Sequence, residues 1–405
     1  MAINFQQVRE QVKSLGENAA GRLSQLQELR LRALELLNNH AGNLEGLRQR
    51  VQEVAHRQDP NLRCAIPCAA EIARPEPLDG HYPLPELPAQ ATIVAADGSQ
   101  ITPDRHAQVN FCLINVGAIQ VRMGAPDPPQ ITVSSKLIYD EQMYTLSGTL
   151  SEAQVALMRD LNERKWLADV AKNALVKTAP APVITFTDGP MELWGAKDTQ
   201  DSQDFQRSLE EYQQVLTTLQ ELGATTAGYV DKPAANLVVR LLELASLSEE
   251  QLPQVKRLYP LRGVLDRNIF QGLLAPGERS AVFAIQSRSG EHYRGQLALH
   301  FFYLNVGRPG RPWLARVEIP AWVAVDTQRL DDLQAVLVRQ CQILGNRPFP
   351  YLIHRAHEAA VVSLEEKEQV EQMIVNELYR RGVEVEDGSS KQYAKDTAGR
   401  TRLNT

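Results

Sequence analysis

The chain has 405 residues, 43% of them hydrophobic, and a formal net charge of -6. This places it among ordinary globular proteins with enough apolar material for a large core, arranged as one big domain with appendages or as two smaller ones. Its longest apolar stretches, such as ALVKTAPAPVITF, are broken by Pro, Lys or Thr well short of the roughly 20 residues of a membrane span, so no spanning helix is expected.

The first 22 residues scatter charges among apolar positions and lack the apolar centre of a secretory signal, which favours the cytoplasm. Residues 5 to 57 read as helix: Leu23, Leu26, Ala33 and Leu37, then Leu44, Leu47, Val51 and Val54, recur at helical spacing. Gly16, Gly21 and Gly42 are predicted to cut this run into two or three pieces. The helical region, residues 1–60, gives way to a Pro-rich connector over 61–90, read as too proline-dense for regular structure. Four cysteines, Cys64, Cys68, Cys112 and Cys341, are too few and too scattered for a disulfide framework. Cys64 and Cys68 look like half a zinc site, but no second Cys/His pair follows at a ligand-like spacing.

Three strand-like runs come next, ATIVAAD, QVNFCLINVGAIQVRM and ITVSSKLIYD, and their closeness predicts a meander. A helix begins near Ser151, a capping residue, and runs through EAQVALMRDLNERKWLADVAKNAL. Then PVITFTD reads as a strand ending on Asp188, SQDFQRSLEEYQQVLTTLQEL as a helix, TTAGYVD as a strand ending on Asp231, and AANLVVRLLELAS as a helix. The order β-β-β-α-β-α-β-α is that of a ribonuclease H-like fold: an α/β core with a mixed sheet, a three-strand meander followed by βαβα. Residues 279–320 add strand-like runs as an inserted β extension. Helices are predicted near 328–344 and 363–381, and residues 386–405 as a mobile tail.

In that order the first and fourth strands lie side by side, so Asp97 and Asp188, each directly after an apolar strand, emerge together at the carboxyl edge where ligands bind. Each Asp-Gly alone is an ordinary turn, and Asp387-Gly388-Ser389 in the tail repeats the tripeptide with no strand before it. Adjacent carboxylates repel unless a cation neutralises them, and hard oxygen ligands suit Mg²⁺ or Mn²⁺. A third ligand is expected from the helix at 151–175: Glu163 lies mid-helix, with Glu152 and Asp160 as competitors. His357 of YLIHRAHEAAVV borders an apolar helical face and could bring in an imidazole, a donor that tolerates Mn²⁺ better than Mg²⁺.

The ordered set VAADGSQITPD, ITFTDGPMELW, GYVDKP, LDRNIFQGLLAPGERSAVF and RPFPYLIHRAHEAAVV resembles the NurA nuclease family over roughly residues 90 to 382. The resemblance implies a nuclease domain, here residues 91–385, that is manganese-dependent and acts on DNA 5′ ends and single strands in end resection. It implies a dimer working with the hexameric HerA translocase. By motif match the family's metal ligands fall on Asp97, Asp188, Glu163 and His357. Where the family often has Tyr, this chain has Phe349, with Tyr351 two residues on.

Charge distribution fits a DNA partner. From Arg257 to Arg355 the chain has 13 Arg and no Lys against 7 Asp plus Glu, a local excess of six positive charges. Arg262, Arg267, Arg279 and Arg355 are the expected backbone contacts, with Asp266 beside Arg267 in an accessory role or as one half of a bridging ion pair. Two other readings remain at this level. A non-catalytic DNA clamp or motor adaptor has no need of the carboxylate set. An actin-like ATPase or kinase needs Gly-rich phosphate hairpins, and Gly98 and Gly189 are isolated.

Overall fold

The computed structural model describes residues 3–69, 75–104, 108–145, 148–175, 181–194 and 203–383. The tail predicted at 386–405 lies outside these residues. The chain separates into two compact units. One takes Met1–Pro88, Gly189–Glu192 and Ala227–Pro348, and the other Ala89–Asp188, Leu193–Thr226 and Phe349–Thr405. Both units gather segments distant in sequence, whereas the predicted division followed chain order.

In the first unit a helix runs from Phe5 to Asn39 without a break at Gly16 or Gly21. An isolated glycine inside a helix costs only about 1 kcal/mol, which flanking turns absorb. The break comes at residues 40–43, before helix Leu44–Arg57. Ala33, Leu37, Leu47, Val51 and Val54 are buried in one cluster with Val238, Leu241 and Leu242 of helix Leu237–Ser246. The second helix and the end of the first are therefore part of this unit's core, while Phe5, Val8, Val12 and Leu15 stay exposed.

The connector also holds regular structure, contrary to its proline count. Cys64–Pro67 is an outer strand antiparallel to Phe283–Gln286, and His81–Tyr82 pairs with Arg279–Ser280. Pro67 closes its strand at a sheet edge, where a missing N–H can be tolerated. Behind these, Leu299–Asn305 and Leu314–Pro320 form an antiparallel pair buried at every position, and the second of them pairs with Thr225–Asp231.

The second unit carries the predicted meander. Ala91–Ile101, Phe111–Met123 and Gln130–Tyr139 pair antiparallel in turn, and Val183–Asp188 pairs parallel to the first. Helix Glu152–Leu175, Val183–Asp188 and helix Gln203–Glu221 then follow and, with strand Thr225–Asp231, most of which belongs to the first unit, give the chain order expected of a ribonuclease H-like core. Ser151 starts the first helix as expected, accepting from Gln154 N at 3.3 Å while Gln154 Oε1 accepts from Ser151 N at 2.9 Å.

Side chains alternate across a strand. Val94 and Ala96 pack under helix 152–175 with Val155, Leu167 and Val170. Positions of the other parity face helix Tyr351–Ala360, which crosses the same strands. That crossing is very close: a Cβ on Gly117 would sit 2.6 Å from Ala356 O and 2.8 Å from Ala360 N. The helix end is tied down there as well, because Ala360 O accepts from Ser99 Oγ at 2.5 Å and from Asn115 Nδ2 at 2.8 Å.

Gly117→Ala should lower stability by about 1–3 kcal/mol, since two backbones must move apart to admit one methyl. Gly272→Ala, in a helix where an added Cβ meets nothing within 4 Å, should be neutral or stabilising. Denaturant unfolding of the two variants checks this: equal midpoints would show that the helix does not depend on the missing side chain.

Candidate active site

The parallel register pairs Thr92 with Val183 and ends at Ala96 with Thr187. The next residue on each strand is Asp97 and Asp188, so the two carboxylates leave neighbouring strands at the same level. One expectation needs correction: Asp97 does not end its strand. Strand 91–101 continues to Ile101 on its antiparallel side, with Asp97 opposite Gly117 and Gly98 opposite Val116. Asp97-Gly98 is extended strand and no turn, because the meander partner keeps bonding after the parallel partner stops.

Asp97 lies on the face toward helix 351–360. Its Oδ2 is 2.6 Å from Nδ1 of His357, with the carboxylate side chain 15% and the imidazole 60% exposed. The close passage over Gly117 sets this contact. Asp188 is exposed at the end of its own strand.

Glu163 approaches from the opposite face. It is 6% exposed on helix 152–175, and its Oε2 lies 3.5 Å from where a Gly98 Cβ would be. The absence of a side chain at Gly98 is thus what admits Glu163 and the stem of Arg159, whose Cγ lies 2.8 Å from the same point. Burial pushes the Glu163 carboxyl up to about 8; Arg164 opposes this and the neighbouring charges of Asp97 and Asp160 add to it. Of the three helix carboxylates, Asp160 is held by Arg159 at 2.7 Å, and Glu152 is exposed in the first turn. The structure therefore brings Glu163 under the influence of Asp97. Two residues past Gly98 on the same strand, Gln100 leaves its side-chain oxygen buried with no hydrogen-bond partner among the described residues.

The other expected residues divide. Phe349 and Tyr351 are half-buried before and at the first turn of helix 351–360. Tyr351 is six residues, about 9 Å of helix rise, from His357, so neither is drawn to the Asp97–His357 pair. Arg355 is ion-paired with Glu358. In the first unit Arg262 is exposed and Arg267 half-buried. Arg279 is a correction. Its side chain is 4% exposed and donates to both oxygens of Glu76 at 2.9 and 3.1 Å, so its guanidinium is committed internally. Asp266 is another. It is fully buried and accepts from Val238 N, Val239 N and the Tyr303 hydroxyl at 3.0, 2.8 and 2.6 Å, fixing the start of helix 237–246. Sequence reasoning missed Gly98, Ser99, Asn115 and Gly117 as positioning residues. Their only sequence signal is that small or polar residues interrupt apolar strands.

Two carboxylates at one level of neighbouring strands, a buried carboxylate and an imidazole suit a hard divalent cation that tolerates nitrogen, as Mn²⁺ does. Among the described residues, though, no three Asp, Glu, His or Cys side chains stand close enough to hold a metal as they are placed. The donor types, not their present spacing, are what fit such an ion.

Glu163 also sets a pH response in chelator-treated protein. Its folded pKa lies above the ordinary glutamate value of 4.5, so the native state binds the extra proton and stability falls as pH rises from about 4.5 to about 8. Glu163→Gln should therefore melt higher than wild type at pH 8 and equal to it at pH 4.5, with the difference opening between. A constant offset across this window in thermal scans would contradict a buried, proton-retaining Glu163.

A sequence profile of the NurA domain matches residues 91–362, well over half of the chain. No curated protein matches it. Among solved structures it is similar to the NurA nuclease from Sulfolobus solfataricus at 12% identity, over 75% of this chain and 88% of that one, with a TM-score of 0.45. It is also similar to NurA bound to dAMP and manganese, at 10% identity over 90% and 97% of the two chains and a TM-score of 0.37. The catalytic domain of human Endonuclease V matches at 13% identity over 70% and 83%, with a TM-score of 0.30. Since the profile spans both strand-end aspartates, Glu163 and His357, this chain belongs to the NurA family of nucleases.

Proposed function

We propose that the protein is a manganese-dependent deoxyribonuclease. It acts 5′ to 3′ on DNA ends and endonucleolytically on single strands, as a cytoplasmic homodimer in end resection with a HerA-type hexameric ATPase. The observation that carries the nuclease reading is the parallel register that delivers Asp97 and Asp188 to one level, with His357 held on Asp97. Family membership supports the ATPase partner, the dimer and the polarity. Mg²⁺ is the alternative ion.

Asp97, Asp188 and Glu163 would hold the cation, with His357 as a fourth donor or as the group that orients Asp97. A bound divalent cation supplies charge stabilisation at the scissile phosphate and acidifies water for attack. Asp97 and Asp188 would set where the cation sits at the carboxyl edge of the sheet, since two carboxylates alone would repel a phosphodiester. Glu163 would give up its proton on holding a cation and so contribute a negative charge to that site. His357 has no partner other than Asp97 among the described residues. Its second ring nitrogen can accept the proton released on attack or give one to the leaving 3′ oxygen.

Asp97→Asn and Asp188→Asn should each lose at least about 100-fold in Mn²⁺-dependent cleavage of 5′-labelled DNA, with DNA binding retained. Mn²⁺ should raise the melting temperature of wild type more than that of either variant, because it relieves carboxylate repulsion. An identical metal response in all three proteins would sink the shared site. His357→Ala should cost about 10–100-fold. Digestion of 5′- and 3′-labelled strands with and without the ATPase checks polarity and stimulation; no stimulation would remove the partner from the proposal.

A further inference from the structure

The first unit carries a basic feature that the expected arginines did not include. Strands Leu299–Asn305 and Leu314–Pro320 are joined by a tight hairpin in which Arg308 and Arg311 bridge as a directly opposed pair. Arg308 N donates to Arg311 O at 3.1 Å and Arg311 N to Arg308 O at 2.9 Å. Between them stand Pro309 and Gly310, the latter at φ 75°, as a type II turn requires. Like charges directly opposite on a ribbon destabilise it. No carboxylate pairs with Arg308, Arg311, Arg347 or Lys232 among the described residues.

The hairpin is held rigidly in spite of that repulsion. The buried Asn305 accepts from Gly307 N at 3.0 Å and Trp313 N at 3.1 Å, and itself donates to Leu274 O at 2.8 Å. A Cβ on Gly307 would meet Arg311 O and Trp313 N at 2.4 Å, so the turn closes tightly at its base. Arg308 donates to Gly345 O at 2.9 Å, next to Asn346 and the exposed Arg347. Trp313 Nε1 donates to Asp231 Oδ1 at 2.7 Å. Lys232, at the unfavourable φ of 43°, holds its Nζ 4.0 Å from the Trp313 ring centroid. Arg308, Arg311, Lys232 and Arg347 are thus four exposed cations about one braced turn, and none has a carboxylate partner among the described residues.

We infer that the hairpin tip, Arg308 and Arg311 flanked by Lys232 and Arg347, is a binding site for the phosphodiester backbone of DNA. The inference rests on the nuclease reading and adds to it where the strand is gripped. Exposed guanidinium and ammonium groups gathered about one turn can grip phosphates without reading bases.

The test is fluorescence anisotropy of a labelled single-stranded oligonucleotide across a salt series, with EDTA present to prevent cleavage. Arg308→Ala/Arg311→Ala should flatten the slope of log K against log salt by about 1.4, two contacts' worth for a single strand. Its melting temperature should be equal to or above that of wild type, which a purely structural pair would not give. Arg311→Lys should keep the slope. Arg57→Ala, at an exposed arginine already paired with Glu53, should change nothing. In cleavage assays with Mn²⁺ the double variant should raise KM and leave kcat near wild type. Wild-type slope and affinity in the double variant would overturn the hairpin site while leaving the nuclease reading intact. Absence of both DNA binding and cleavage in wild type would overturn the two together. Displacement of the oligonucleotide by inorganic phosphate at an equal phosphate concentration would assign the site to a free anion instead.

Discussion

The candidate site depends on one feature of sheet geometry: strand 91–101 loses its parallel neighbour after Ala96 while its antiparallel neighbour continues to Ile101. A strand bonded on both sides buries its backbone and wants apolar side chains. A strand bonded on one side opens an edge into which charge can project. Asp97 is the first residue past that transition, and Asp188 occupies the equivalent place on the strand that stops. The carboxylates are adjacent because of register, and register here is enforced by buried Ile93, Val94, Ala95 and Ala96, which a slip of one residue would turn to the wrong face.

Two glycines then bring the remaining groups to this edge from opposite faces. Gly98 leaves room for Glu163 under the strand, and Gly117 lets helix 351–360 lie almost on the backbone above it. Neither glycine carries chemistry. Each replaces a side chain that would hold a functional group away, which is why a buried carboxyl raised to about 8 and an exposed imidazole can serve one aspartate. Burial first, and then the charges of Asp97 and Asp160, make an ionised Glu163 costly in this arrangement.

Basic residues show the opposite logic. The arginines counted in the C-terminal third differ in what they are paired with in the folded chain. Arg279 is neutralised by Glu76 in the interior and Arg355 by Glu358, whereas Arg308 and Arg311, opposite each other in the backbone of the hairpin, have no carboxylate partner among the described residues. Charge that a protein leaves uncancelled on a braced turn carries more information about a polyanionic partner than charge that merely occurs.

Much was legible in the sequence because it depends on local pattern. The period-two apolar runs, the cap at Ser151 and the alternation of helix and strand were enough for the ribonuclease H-like order, and that order for the pairing of Asp97 with Asp188. Other features depend on contacts between segments far apart in the chain, where local pattern is silent. Proline density in the connector hid a short edge strand, because a proline's missing N–H matters only if a partner lies on that side. Asp266 looked like a site residue from its neighbours and is a helix cap, because Val238, Val239 and Tyr303 reach it only in the folded chain. The sequence by itself determined the elements, their order and the strand-end carboxylates, since these follow from periodicity and side-chain type. Tertiary structure alone decided which helix carboxylate meets Asp97, which arginines are spent on internal partners, and that Asp-Gly is strand rather than turn, since each is settled by what packs against it.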